Sequence, residues 1–169
     1  MAGMPPRRAL LIVTAIAFLV LLVDQASKVW ARHELTPGHE VTVIPGWLWF
    51  RLASNTGATL GLGTGRNEVF AALALVIVGA IAVLALQGNV GGALGIAALG
   101  AVAGGAIGNL LDRLRLGGVT DFVEVHYWPT DFNLADAAIR LGVVLLLLAL
   151  LLDWTGRRGR ARLATGRKR

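Results

Sequence analysis

Asp24, Asp112, Asp121 and Asp136 stand in short polar runs set into otherwise apolar sequence: DQASK (24–28), NTGA (55–58), GGAIGNLLDR (104–113), and DF at 121 followed by NLAD at 133–136. Two carboxylates brought into one partly dry site resist ionising together, so one of them retains a proton. An aspartic hydrolase needs that division of labour: the ionised member deprotonates a water, and the neutral member donates to the scissile carbonyl or the leaving nitrogen. Competing chemistries are poorly supplied. His33, His39 and His126 lack the HExxH spacing of a zinc site, and no GxxxxGK[ST] loop is present to cradle a phosphate. The chain has no cysteine, and neither Ser27 nor Ser54 sits in a GxSxG elbow. Carboxylate chemistry without metal or cofactor is the expectation.

The elements that must carry these groups are membrane spans. The 169 residues are 56% hydrophobic and only 15% charged, with a mean hydropathy of +0.68, whereas soluble domains carry about 25% charge. Crossing about 30 Å of hydrocarbon takes ~20 helical residues, and four segments qualify, at 9–30, 69–87, 91–114 and 135–154. The first is read as a retained span rather than a cleaved signal peptide, because Asp24 and Lys28 lie at its end and three more spans follow. A net charge of +6 and a pI near 11.3 would suit nucleic acid, but 7 of the 16 basic residues lie in the tail 157–169. That tail is read as an unstructured cytoplasmic flank, and no nucleic-acid partner is expected. Residues 1–156 form the membrane domain.

Basic residues at both chain ends, against acid-interleaved connections, place both termini in the cytoplasm and the long connections outside. Those connections are β-prone: EVTVIPGWLWFRL reads as two short runs around Pro45-Gly46, and GVTDFVEVHYW as another. The expected architecture is an all-α, four-helix membrane bundle with a small sheet or cradle on the outer face. Trp30, Trp47, Trp49, Tyr127 and Trp128 suit the headgroup level.

Each polar cluster also has a purely architectural reading. Asp24 and Lys28 are spaced for a helical ion pair with the acid first. Asn133 is placed to cap the fourth helix, with Asp136 at its third position. Gly100, Gly104 and Gly108 form a small-residue stripe that admits another helix. Asn109, Asp112 and Arg113 share a face, and Arg113 alone would be a snorkelling end residue. Convergence of all four clusters on one membrane layer favours a site over four independent clips. By these arguments Asp121, Glu124 and Asp131 remain equal candidates as the partner of Asp136.

Taken in order, DQASK, NTGATLG, GGAIGNLLDR, VTDFVEVHYW and FNLADAAIR on four spans closely resemble the lipoprotein signal peptidases (signal peptidase II) of bacteria. The likeness runs from Leu10 to Leu152, and GNLLDR and FNLAD are its most specific parts. It implies an aspartic endopeptidase of the bacterial inner membrane that removes the signal peptide of diacylglyceryl-modified prolipoproteins just before the lipidated cysteine. It also implies Asp121 and Asp136 as the catalytic pair, with Asp24, Lys28, Asn55, Asn109, Arg113 and Asn133 binding substrate or supporting the pair. Membrane lipids are expected partners, globomycin-type lipopeptides expected inhibitors, and the chain is expected to be a monomer. Asp131 and Phe132 fall to the approach loop. Leu60 and Gly61 depart from the family pattern, which more usually has an aromatic and a small polar residue there. A proton-coupled transporter or a non-catalytic assembly protein are the alternative readings. Transport-linked charges belong near mid-membrane between inverted repeats, and an assembly protein would tolerate loss of either aspartate.

Overall fold

The computed structural model describes residues 4–57, 65–88 and 90–166. Four long helices, α1 (Pro6–Glu34), α2 (Asn67–Gln87), α3 (Gly92–Leu116) and α4 (Leu134–Gly166), are joined by three strands, β1 (Glu40–Ile44), β2 (Leu48–Asn55) and β3 (Val119–Val125). All four helices are long and apolar enough to cross a membrane, at the places the hydropathy marks. The membrane-spanning part of α4 ends at Gly156, but the helix continues to Gly166. The stretch 157–166, read from sequence as unstructured, is thus drawn as helix. Arginine, alanine and leucine there are good helix formers, against a cost of about 1 kcal/mol for Gly159. Leu60 and Gly61 lie outside the described residues.

Helix α3 is the centre of the bundle. Of its apolar window 72% is buried, against 22% or less for the other three, whose outer faces carry Phe18, Leu19, Leu75, Val76, Leu147 and similar side chains towards lipid. Its glycines explain how neighbours come so close. A side chain at Gly100 would meet Ile16 and Val13, one at Gly104 would meet Ala17 and Val20, and one at Gly105 would meet Ala135 and Ile139. The small-residue stripe therefore docks α1, and the adjoining glycine docks α4. Gly108 differs in kind. A methyl group there would run into the Asp24 carboxylate, so this glycine makes room for a buried charge.

Helix α1 buries Ala9, Val13, Ala17, Asp24, Lys28 and Ala31, a stripe that turns from apolar to ionic as it approaches the end of the bundle bearing the sheet. There β1 and β2 form an antiparallel hairpin, closed at Pro45 and Gly46 with Gly46 at φ +74°, a left-handed value that glycine adopts freely. Strand β3 adds to β2, giving the order β1-β2-β3 and setting Ala53 opposite Asp121 and Ser54 opposite Thr120. The sheet sits on the end of α1 through Ala31, Leu35, Phe122 and Val123. Trp30 meets Phe50 edge-on at 5.3 Å. Phe132 pairs with Val123 as an isolated bridge, which pins the segment entering α4 against β3. Arg51 ties the same region from outside, reaching Glu40 at 3.6 Å, Glu124 at 3.4 Å and Asp131 at 3.0 Å.

Candidate active site

The first turn of α4 exposes backbone N–H groups that lack helical acceptors, and two residues distant in kind supply them. The Asp136 N–H donates to Asn133 Oδ1 at 2.9 Å, the cap expected from the local spacing. The Ala135 N–H donates to Asp24 Oδ1, also at 2.9 Å, across 111 residues of chain. With its oxygen occupied by an N–H, the Asn133 amide must turn its nitrogen the other way, and Nδ2 donates to Asp121 Oδ1 at 2.6 Å. One side chain thereby couples the backbone of Asp136 to the carboxylate of Asp121.

Two further asparagines repeat this logic. Asn109 Oδ1 accepts from the Lys28 ammonium at 2.8 Å, which leaves Nδ2 to donate to Asp136 Oδ1 at 2.7 Å. Asn55 Oδ1 accepts from the Gly57 N–H at 2.9 Å, and its Nδ2 donates to Asp121 Oδ2 at 3.1 Å. Each amide is oriented by a group that can only donate, so none can flip without losing a bond. Two donors on Asp121 and one on Asp136 hold both carboxylates in fixed rotamers.

Behind Asn109 lies a buried ionic knot. Lys28 and Asp24 are both fully buried and 2.9 Å apart, and Lys28 also faces Asp112 at 3.7 Å. Asp112 accepts from the Thr120 N–H at 2.9 Å and from Gln25 at 3.4 Å. Arg32 adds a cation 3.9 Å from Asp112 and donates to Thr120 Oγ1 at 2.8 Å. Buried charge is tolerated only when paired and hydrogen-bonded, and both conditions are met here. The knot joins α1, α3, β3 and the N-terminus of α4, the elements that carry Asp121 and Asp136.

Two clefts open beside the aspartates. The first, about 310 Å³, is lined by Asn55, Asn109, Arg113, Asp136 and Arg140 around the apolar side chains of Phe70, Leu73, Ala74, Ile77 and Ile139. The second, about 330 Å³, is polar, lined by Arg51, Ser54, Asn55, Thr56, Asp121, Thr130 and Asp131. Asn55 borders both, so the carboxylates stand between a greasy chamber and a wet one. Arg113 spans the first cleft. It donates to the carbonyls of Gly57 at 3.0 Å and Asn109 at 3.4 Å and lies over the Phe70 ring at 5.7 Å, while its buried Nε has no partner among the described residues.

Burial pushes the Asp121 carboxyl up to about 7, with the nearby charge of Asp136 acting in the same direction, and the amides of Asn55 and Asn133 and the charge of Lys28 oppose the rise. A carboxyl so placed exchanges a proton near neutral pH, as general acid-base chemistry requires.

The model of the family described as Signal peptidase (SPase) II matches residues 16–152 of this chain. The chain belongs to the signal peptidase II family. It is therefore a peptidase of a bacterial membrane, held there by four helices. Among its relatives, a lipoprotein signal peptidase of Pseudomonas putida is 42% identical over 143 residues, covering 79% of this chain and 82% of that one. One of Syntrophomonas wolfei is 38% identical over 135 residues, covering 80% and 89%. A solved structure described as a bacterial membrane enzyme superposes with a TM-score of 0.78 at 28% identity, over 85% of this chain and 90% of the other.

All eight residues that the family resemblance singles out gather at the sheet end of the bundle. Asp121, Asp136, Asn55, Asn109 and Asn133 form one hydrogen-bonded unit. Arg113 holds two backbone carbonyls in the first cleft and, among the described residues, no carboxylate. Asp24 and Lys28 stand behind the unit and line neither cleft. Sequence reasoning gave no role to Gln25, Thr120 or Arg32, and left Asp112 as a residue on a shared face. The one available signal was that Asp112 lies one turn from Asn109. Glu124 and Asp131, open rivals to Asp121 on sequence grounds, are both taken up by Arg51.

Proposed function

We propose that this peptidase is an aspartic endopeptidase that removes the signal peptide from diacylglyceryl-modified prolipoproteins, cutting just before the lipidated cysteine. The observation that carries this reading is the pair Asp121 and Asp136, held by three oriented asparagines at the junction of an apolar and a polar cleft. One proton shared by the pair leaves one carboxylate to deprotonate water and one carboxyl to protonate the departing nitrogen. The signal peptide and the acyl chains carried by the cysteine are apolar, whereas the mature segment beyond the cysteine enters water. The two clefts match those two halves in polarity. Arg113 and Asn55 border the first cleft as positioning groups for the peptide backbone.

The experiment is cleavage of a synthetic diacylated prolipoprotein by the detergent-purified protein, acting as a monomer. Turnover should persist in chelators and thiol reagents and be blocked by globomycin-type lipopeptides, which from the family resemblance lodge a hydroxyl between the aspartates. Loss on chelation with recovery on adding zinc would sink the carboxylate mechanism.

The site faces the outer surface of the inner membrane, with both termini cytoplasmic. The support is the basic residues at the chain ends, Arg7, Arg8 and the seven of 157–169. A reporter active only in the cytoplasm should work after Arg169 and fail when inserted within 37–40. The opposite pattern would invert the topology.

A further inference from the structure

We propose that Arg140 is a specificity residue that hydrogen-bonds the ester carbonyls of the substrate's diacylglyceryl group. This rests on the prolipoprotein reading above and names what the first cleft recognises.

Arg140 follows Asp136 by one helical turn, on the same face of α4, roughly 6 Å further along the axis. Both side chains line the first cleft. The guanidinium lies 5.0 Å from the centre of the Trp128 ring and 5.3 Å from that of Phe132. Those contacts hold the guanidinium beside the two rings without giving its N–H groups an oxygen acceptor. Among the described residues Arg140 has no hydrogen bond and no ion pair. The other basic groups around the site each have hydrogen-bond partners: Lys28 has Asp24 and Asn109, Arg32 has Thr120, Arg51 has Asp131, and Arg113 has two carbonyls, though not at its Nε.

An arginine stays protonated at any relevant pH, and a charged side chain within a span is costly unless acceptors meet it. Arg140 is half-buried at the cleft wall, with its guanidinium held over two rings near the headgroup level rather than extended into water. The geometry calls for a ligand with uncharged or anionic oxygen acceptors at that depth, attached to something apolar enough for Leu73, Ala74, Ile77 and Ile139. A diacylglyceryl cysteine meets both demands. Its ester carbonyls sit a short thioether-glycerol chain away from the cysteine nitrogen, and its acyl chains continue into the lipid-facing part of the cleft. The lipid phosphate of a bystander phospholipid has similar acceptor chemistry, and the experiment separates the two.

Two peptides of one sequence are compared, the cysteine carrying either two ester-linked acyl chains or two ether-linked alkyl chains of equal length. Hydrogen bonds to a charged donor are worth roughly a tenfold change in binding or more. The wild-type enzyme should show a KM for the ether peptide roughly tenfold above that for the ester peptide, with little change in kcat. Arg140→Met, which keeps the aliphatic stem over Trp128 and Phe132, should raise the ester KM to the ether level and leave the ether KM unmoved. Equal KM values for the two peptides with the wild-type enzyme would overturn the proposal without any variant. So would an Arg140→Met effect that is the same for both peptides and follows the anionic phospholipid content of the vesicles, which would assign the contact to bulk lipid. Failure of the wild type to cleave either peptide would overturn the prolipoprotein reading itself.

Discussion

Asp136→Asn should fold like the wild type and lose cleavage by roughly a thousandfold or more, the scale on which general acid-base groups acting as a unit contribute. Its single amide donor, Asn109 Nδ2, approaches Oδ1 only, so an asparagine at 136 keeps that bond by pointing its own nitrogen elsewhere. Asp121→Asn should be as inactive but less stable. Both of its oxygens receive amide donors, from Asn133 and Asn55, and neither donor can flip because each partner oxygen is occupied by a backbone N–H. An asparagine at 121 therefore turns an NH2 against one of them. The double variant should be scarcely slower than either single one. Near-normal turnover in Asp136→Asn would reduce NLAD to a helix cap.

The same pair should set the pH dependence. With the Asp121 carboxyl raised to about 7, the shared proton is present below that pH and lost above it, so the alkaline limb of the rate profile should fall near neutrality. The acid limb appears when the second carboxylate also protonates, and both limbs belong to the pair rather than to one residue. Stability carries the same sign. An unfolded aspartate releases its proton near about 4, whereas the folded protein holds it to about 7. The contribution of this group to stability is therefore complete below about 4 and is lost as pH rises towards 7. Turnover of the purified protein on one diacylated substrate across pH tests the first statement, and its thermal unfolding in detergent across the same range tests the second.

Lys28→Met should be the most damaging single change away from the two aspartates. It removes the cation that meets Asp24 at 2.9 Å and strands that buried carboxylate, while Asp112, which Lys28 faces at 3.7 Å, keeps Arg32 at 3.9 Å. Breaking a buried pair in this way costs about 3–5 kcal/mol. It also releases Asn109, whose amide is oriented by the ammonium and can then turn its oxygen towards Asp136. Lowering the stranded charge with Asp24→Asn should recover part of the thermal stability. Turnover should stay depressed, because Asn109 is still unanchored. Thermal unfolding in detergent and turnover per folded molecule distinguish the two effects. A Lys28→Met protein with normal turnover would remove Lys28 from the support of Asp136.

Features that depend on neighbours in sequence were legible from the sequence alone. Hydropathy marked the four spans because ~20 apolar residues have one use in a bilayer. Asn133 as the cap over Asp136, the Asp24–Lys28 pair, the glycine stripe and the Pro45-Gly46 hairpin all follow from spacings of one to four residues. The choice of carboxylate was of another kind. Asp121, Glu124 and Asp131 are equivalent by spacing, and the proposal of Asp121 rests on β3 register and the placement of Arg51. Register puts Asp121 opposite Ala53 and within reach of Asn55 and Asn133, while Arg51 takes the other two. Likewise, Asp24 on the N-terminus of α4, Lys28 on Asn109, and Arg140 on Trp128 and Phe132 join segments that only helix packing brings together. A hydrogen bond across 111 residues leaves no periodicity in the chain, because its partners are chosen by the close approach that Gly104, Gly105 and Gly108 allow between α3 and its neighbours.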